Sequence, residues 1–386
     1  MKKLKVFETF AGIGAQTKAL TNIGIDFEVV GTSEWFIDAI IGYNAIHKKR
    51  FKKYKRQESL EFLEKYTLSN DSKKPLISYK KMSDEKLSNI VSSMKANKNL
   101  GSILEIKGKD VPEHDLWTYS FPCQDLSIAG KGKGITKESG TRSSLMWEVE
   151  RIISEIDSSK RPSFLLMENV PAIQNIKYKQ GLDHFKSSLE DLGYTQNIGI
   201  VLNASKLGIP QRRKRYFMIS IHQDAHFVGG GGVKNQLLEL EKIEKPLRYK
   251  LKDVISSSAK YTNREEMYVK EIDRRNEGLE KVHTKLGVYP TFAQANIVTG
   301  INNGTIGTVT FSGENSRQRV AMQQNGITRV KECGGIENML LMGFDKKDFR
   351  ALKKKNLSTR KISALAGNSI VVQQLEEIFK VIVGNW

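Results

Sequence analysis

The strongest constraint on the fold lies at the start of the chain, where two apolar runs flank a glycine turn and a short helical stretch. Residues 4–10 (LKVFETF) read as a buried strand, followed by the turn Ala11-Gly12-Ile13-Gly14. A helical stretch from Gln16 to Asn22 ends at Gly24, and residues 27–33 (FEVVGTS) read as a second strand. A helix through Ile37 to His47 comes next. Two successive strands joined through a helix can pair only in parallel, because a crossover of this length returns the chain to the same edge. The expected fold class is therefore α/β, a mostly parallel sheet with covering helices. A second, smaller and irregular domain is also expected.

Further strand signals are Leu116 to Phe121, Ser163 to Met167, Gln196 to Leu202 and Arg215 to Ser220. Between Lys48 and about Leu100 the composition shifts to Lys, Glu and Ser, with Phe62, Leu63 and Tyr66 and then Leu87, Ile90 and Val91 at helical spacing. This reads as an inserted helical excursion, basic and solvated on one side, either a plain surface insertion or a contact to a nucleic-acid backbone. After residue 220 the helix–strand alternation stops. FVGGGGV (227–233) is a connector, and the chain to about 328 is rich in Gly, Asn, Thr and Gln, with β-like runs such as Ile306 to Phe311. Residues 336–346 and 360–384 return to amphipathic helical patterns. The expected division is 1–222 with 329–386 as one domain and 223–328 as another.

Charge narrows the partners. Lys and Arg total 62 against 43 Asp and Glu, a net +19. A strongly basic chain with no membrane-length apolar stretch and no apolar leader points to an intracellular partner of opposite charge, most often nucleic acid. The two cysteines, Cys123 and Cys333, are too few for a disulfide framework, and no Cys/His cluster has zinc spacing, so no metal is expected.

Four places carry chemistry. The glycines of Phe10-Ala11-Gly12-Ile13-Gly14 let a ligand approach the backbone, and Glu34 lies 20 residues beyond Gly14 at the end of the second strand. A carboxylate there can take both hydroxyls of a ribose, and Trp35 beside it can stack on a base or simply pack. Cys123 follows a strand and Pro122, and is trailed by the cationic run Gly130-Lys131-Gly132-Lys133-Gly134. Positive surroundings favour thiolate, although a free cysteine is usually a small core residue. Glu168 leaves the apolar strand Phe164-Leu165-Leu166-Met167, a place suited to proton donation or to a plain surface charge. In Gln211-Arg212-Arg213-Lys214-Arg215, strand alternation would put Arg213 and Arg215 on one face, able to clamp a phosphate or a base carbonyl.

Taken in order, these motifs resemble the cytosine-5 DNA methyltransferase family. The resemblance is carried by Phe10-Ala11-Gly12-Ile13-Gly14, Glu34-Trp35, Pro122-Cys123-Gln124, Arg142 to Arg151, Glu168-Asn169-Val170, Gln211 to Arg215, Met342-Gly343-Phe344 and Gly367-Asn368-Ser369. The runs Ser120 to Ser127 and Ser139 to Ser143 are most similar to the bacterial branch that modifies CG dinucleotides. The resemblance implies a Rossmann-like sheet, S-adenosylmethionine as methyl donor, S-adenosylhomocysteine as product, and a cytosine swung out of duplex DNA, since its reacting atoms are inaccessible in the stack. It implies Cys123 as nucleophile, Glu168 on the ring nitrogen and exocyclic amine, Asn169 holding that carboxylate, Arg215 on the base carbonyl and Arg213 on a phosphate.

The resemblance also implies a cofactor site of Phe10, Ala11, Gly12, Ile13, Gly14, Glu34, Trp35, Ser102, Ile103, Pro122, Leu145, Asn368 and Ser369. DNA contacts are implied for Gln124, Ser127, Ala129 and Lys131, and for the recognition residues Thr308, Asn315, Ser316 and Arg317, with Gln294, Asn302 and Asn303 as further readers. One departure stands out: the family's usual aspartate beside the adenine amine is Ser102 here, within Gly101-Ser102-Ile103. A monomer in the bacterial cytoplasm, associated with the nucleoid through its DNA and acting alone or with a restriction endonuclease, completes the expectation. Methylation of tRNA, DNA binding without catalysis and a nicotinamide-dependent oxidoreductase are the other readings that the residues themselves leave open.

Overall fold

The computed structural model describes residues 3–122, 145–225, 232–255, 259–261, 298–300, 304–310, 318–325 and 327–385. The chain divides into two compact units. One comprises Met1–Leu202, Lys214–Lys242 and Leu375–Trp386; the other comprises Asn203–Arg213 and Ile243–Gln374.

The first unit is built on a six-stranded sheet. Its strands are β1 (Leu4–Thr9), β2 (Phe27–Ser33), β3 (Leu116–Tyr119), β4 (Phe164–Asn169), β5 (Gln196–Asn203) and β6 (Lys214–Ile221), in the order β2-β1-β3-β4-β6-β5. β2, β1, β3 and β4 run parallel, and β6 is antiparallel to β4. All six residues of β4 are buried, as a strand covered on both faces requires, whereas edge strand β5 alternates. Helices α1 (Ala15–Asn22), α2 (Ile37–Tyr43), α5 (Met146–Glu155) and α6 (Ile176–Asp191) belong to the same unit. Phe7, Trp117, Tyr119, Trp147, Leu165, Met167 and Phe185 form the centre of its core.

The basic insertion folds into two helices, α3 (Arg56–Leu63) and α4 (Asp84–Ala96). Leu63, Leu87, Ile90, Val91 and Met94 pack with Ile37, Ile40 and Ile41 of α2 in a separate apolar cluster. α2 does not run through to His47 as an α-helix. It widens after Tyr43 into a π-turn, Asn44–Lys48.

In the second unit a small three-stranded sheet, β7 (Val298–Gly300), β8 (Arg319–Gln324) and β9 (Ile327–Glu332), precedes helices 335–341, 346–353 and 359–368. The β8–β9 hairpin was not expected, although Asn325-Gly326 between two β-branched runs is a strong hairpin signal. Asn325 has φ +53°, the left-handed geometry such turns need. The run from Ile306 forms no strand; Ile306 makes a single bridge to Gln211. No helix among the described residues is long and apolar enough to cross a membrane.

Candidate active site

At the carboxyl ends of β3 and β4 two parallel neighbours deliver their last residues side by side, with Tyr119 paired to Met167. The next residues on each strand meet. Ser120 donates its hydroxyl to Oε2 of Glu168, and Asn169 donates its amide to the carbonyl of Phe121 at 3.1 Å. Arg215, on β6, places Nε 3.0 Å from Oε1 of Glu168, and both side chains are mostly buried. Each oxygen of Glu168 therefore has a partner, one cationic and one a hydroxyl.

Asn169 does not hold the Glu168 carboxylate as expected. Consecutive strand residues point to opposite faces, and its side chain instead ties Phe121 to the chain after β4, accepting from the Val170 N–H at 2.8 Å. Pro122 is half-buried and is the last described residue of this segment. Cys123, Gln124, Ser127, Ala129 and Lys131 lie outside the described residues, as do Gln294, Asn302, Asn303, Asn315, Ser316 and Arg317.

The glycine turn follows β1. Phe10, Gly12 and Gly14 all have positive φ, +53°, +56° and +76°. A Cβ on Gly12 would meet nothing nearer than the Phe10 carbonyl at 4.0 Å, so open space lies above that residue. A Cβ on Gly14 would stand 2.5 Å from His47 Nε2 and 2.7 Å from Tyr43. Gly14 is thus fixed both by its backbone and by the rings packed beneath it.

Ala11 donates its N–H to the Ser33 carbonyl at 3.2 Å, joining the turn to the end of β2. Glu34 accepts the N–H of Gly12 at 2.9 Å and of Phe36 at 2.8 Å. Burial pushes its carboxyl above the usual range, opposed by those two N–H donors. Trp35 is half-buried. Its carbonyl accepts from the Ser69 N–H at 2.8 Å. Ser102 and Ile103 are buried, and the preceding Gly101 carbonyl accepts the Ser33 hydroxyl at 2.9 Å. Leu145, half-buried, packs against the main core.

Under the turn lies a polar network that the sequence reading missed. Glu8 on β1 is fully buried and accepts the Thr17 hydroxyl at 2.7 Å; Thr17 is in turn 2.6 Å from the Tyr43 hydroxyl. The second Glu8 oxygen has no hydrogen-bond partner. Burial raises the Glu8 carboxyl to about 7, against the lowering pull of Thr17, Tyr43 and Lys48. Burial also lowers His47 to about 4, so the ring is neutral and its Nε2–H donates to the Ile13 carbonyl at 2.9 Å. The missed signal was a lone carboxylate among apolar residues in LKVFETF.

In the second unit Arg213 departs from expectation. Strand β6 begins at Lys214, so Arg213 precedes it and shares no strand face with Arg215. Its guanidinium is buried and donates to the carbonyls of Val309 at 2.6 Å, Gly367 at 3.1 Å and Ser369 at 2.9 Å. That geometry braces three segments rather than presenting a cation to a phosphate. Gln211 adds to the brace. It donates to the Leu341 carbonyl at 2.6 Å and accepts the Val309 N–H at 2.8 Å. The Thr308 hydroxyl donates to the Arg212 carbonyl at 2.7 Å. Asn368 is exposed and Ser369 buried. Cys333 is buried, and its thiol is pushed far up by burial and by Glu337 and Glu332.

A Rossmann-like sheet with a buried acid–arginine pair at its carboxyl edge and a glycine turn faced by a carboxylate defines a methyltransferase-type architecture. The C-5 cytosine-specific DNA methylase family matches residues 76–384. The orphan methyltransferase M.SssI of Spiroplasma monobiae is 36% identical over 99% of this chain and 98% of its own length. The type II methyltransferase M2.ScrFI of Lactococcus lactis subsp. cremoris is 41% identical over 56% of this chain and 61% of its own. Among solved structures, the S. pombe Dnmt2 methyltransferase shares the fold with a TM-score of 0.63, at 16% identity over 99% of both chains. The chain belongs to the C-5 cytosine-specific DNA methylase family. It is an S-adenosylmethionine-dependent DNA (cytosine-5)-methyltransferase, and DNA is its substrate.

Two outcomes follow from the turn and the network below it. Gly14→Ala should lose at least about 2 kcal/mol of stability, because it adds both strain at φ +76° and a clash with His47; a melting temperature unchanged from wild type would contradict this. Glu8 binds its proton more tightly folded than unfolded. Its contribution is therefore complete below about pH 4.5 and is lost as pH rises towards 7. Glu8→Gln should flatten the fall in stability across that window, by up to about 3 kcal/mol, read as a flatter pH profile of the melting temperature. Parallel pH profiles for the two proteins would refute the assignment.

Proposed function

We propose that this enzyme methylates a cytosine flipped from duplex DNA at a CG-containing site, with Cys123 as the nucleophile and Glu168 and Arg215 on the base. The observation that carries the reading is the buried Glu168–Arg215 pair. It lies next to the segment that leads to Cys123, which Ser120 and Asn169 anchor to the end of β4. Cys123 is two positions beyond Phe121, with only Pro122 between them, a Cα–Cα reach of at most about 7 Å. The other cysteine, Cys333, is buried with a strongly protonated thiol and cannot supply thiolate.

The thiolate of Cys123 adds to C6 of the ring, and the electron pair released makes C5 nucleophilic. Glu168 bonds N3 and the exocyclic amine, offsetting charge that builds on the ring. Arg215 holds both Glu168 and the base carbonyl O2. Once C5 carries the methyl group, loss of its proton to water restores the double bond and breaks the C6–S bond, expelling Cys123. The residues of the turn suit S-adenosylmethionine. Open space lies above Gly12, and Glu34 is held at the strand end where a ribose carboxylate belongs. Phe10, Ala11, Ile13, Trp35, Ser102, Ile103, Pro122 and Leu145 would complete the site on this unit. The bound cofactor supplies an electrophilic methyl group to the activated ring.

Arg213 is a positioning residue in this reading, setting the segment of Thr308 and Val309 and that of Gly367 to Ser369. Residues 223–328 carry target recognition, through Thr308, Asn315, Ser316 and Arg317, the last suited to guanine in the major groove. Gln124, Ser127, Ala129 and Lys131 approach the DNA beside the vacated stack. A bacterial monomer, acting as an orphan or beside a restriction endonuclease, is the simplest setting.

Cys123→Ala should abolish methyl transfer while duplex and cofactor affinities stay within a few-fold; near-full turnover would overturn the role of Cys123. Bisulfite sequencing of DNA from expressing cells should place the modified base in one sequence context containing CG. Ser102→Asp should tighten S-adenosylmethionine several-fold in calorimetry by restoring a full acceptor for the adenine amine. Equal dissociation constants would refute that contact.

A further inference from the structure

The segment that joins the π-turn to α3 is unusual in composition and in how it is held. Six of the eight residues 49–56 are Lys or Arg, interrupted only by Phe51 and Tyr54. Residues 49–55 form no helix or strand, yet their backbone is fixed along α4 by two serines one helical turn apart. Lys52 N–H donates to Ser92 Oγ at 2.8 Å, and Ser92 Oγ donates to the Arg50 carbonyl at 3.2 Å. Tyr54 N–H donates to Ser88 Oγ at 2.9 Å, and Ser88 Oγ donates to the Lys52 carbonyl at 3.3 Å. Asn44 adds a bond to the Arg50 carbonyl at 2.8 Å. Phe51 and Tyr54 turn inward onto the α2–α4 cluster.

The cations are left outside. Lys49, Arg50, Lys52, Lys53 and Lys55 are all exposed. No described carboxylate forms an ion pair with any of the five. Their neighbours differ: Arg56 pairs with Asp84 at the start of α4, and Lys95 pairs with Glu58. A solvated basic face needs neither a fixed backbone nor two mid-helix serines, which are weaker helix formers than alanine. A pinned row of cations instead loses little conformational freedom on meeting a polyanion.

We propose that residues 49–55 form a strap that contacts the phosphate backbone of duplex DNA outside the recognised bases, adding affinity without sequence information. The inference rests on the reading of duplex DNA as substrate. Charge alone does not distinguish a duplex from a folded RNA, so both belong in the test.

The full-length protein and its Lys52→Gln/Lys53→Gln/Lys55→Gln variant are compared by fluorescence anisotropy on one 40-base-pair duplex and on a tRNA, from 50 to 200 mM salt. The expected result is a duplex dissociation constant raised at least tenfold, and a salt slope shallower by about 2–3, near 0.9 per lost contact. Turnover at saturating duplex and the methylated position should not change. An unchanged slope and affinity on the duplex overturns the strap, as does a loss confined to tRNA. Failure of the underlying reading looks different: wild-type protein would incorporate no methyl into the duplex, whatever the anisotropy showed.

Discussion

Glu168 and Arg215 reach each other across an antiparallel strand pair in an otherwise parallel region of the sheet. That reversal of direction is what makes the contact available. A parallel β6 would carry Arg215 to the opposite edge, away from the end of β4. Both groups are largely out of water, and burying two charges costs several kcal/mol each before their attraction offsets it. Such a pair is weak evidence for stability. What the contact does achieve is to hold an acid and a guanidinium at one place. Ser120, occupying the second carboxylate oxygen, completes the neutralisation with a group that can yield to a better donor.

The glycine turn is held by different means. Open space lies above Gly12, so nothing bulky supports the turn from that side. Support comes from below, where Tyr43 and His47 press against Gly14 and the Glu8–Thr17–Tyr43 bonds tie β1 to α1 and α2. The π-turn that ends α2 is part of this design. The ring of His47, carried on that turn, reaches the Ile13 carbonyl. A half-satisfied buried carboxylate is a cost, and the network carries it directly beneath the residues that must stay rigid.

The strands that build the sheet were legible because each is a short apolar run closed by a polar or glycine break, and their observed ends fall within a residue or two of expectation. The residues of the pair were legible for the same reason: a charge at the end of an apolar run is conspicuous. Arg213 was misplaced because strand alternation was extended one residue too far; the strand starts at Lys214, and the side chain before it answers to carbonyls from distant parts of the sequence. Asn169 was misassigned by the opposite oversight, since alternation does apply to it and turns it away from Glu168. Long-range polar networks such as that around Glu8 leave almost no local pattern, because their partners are separated by loops and helices. The β8–β9 hairpin was overlooked amid glycine-rich sequence despite Asn325-Gly326.

The two cysteines show that residue type alone does not make a nucleophile. Cys333 follows β9 and is enclosed among apolar and acidic groups, so both desolvation and the charges of Glu332 and Glu337 oppose its ionisation. In sequence, Cys123 follows Pro122, and its neighbours within ten residues include Lys131 and Lys133. A thiolate is favoured by nearby cations and by freedom from apolar burial. In the proposed mechanism Cys123 is the nucleophile, and the burial of Cys333 keeps the other thiol out of that role.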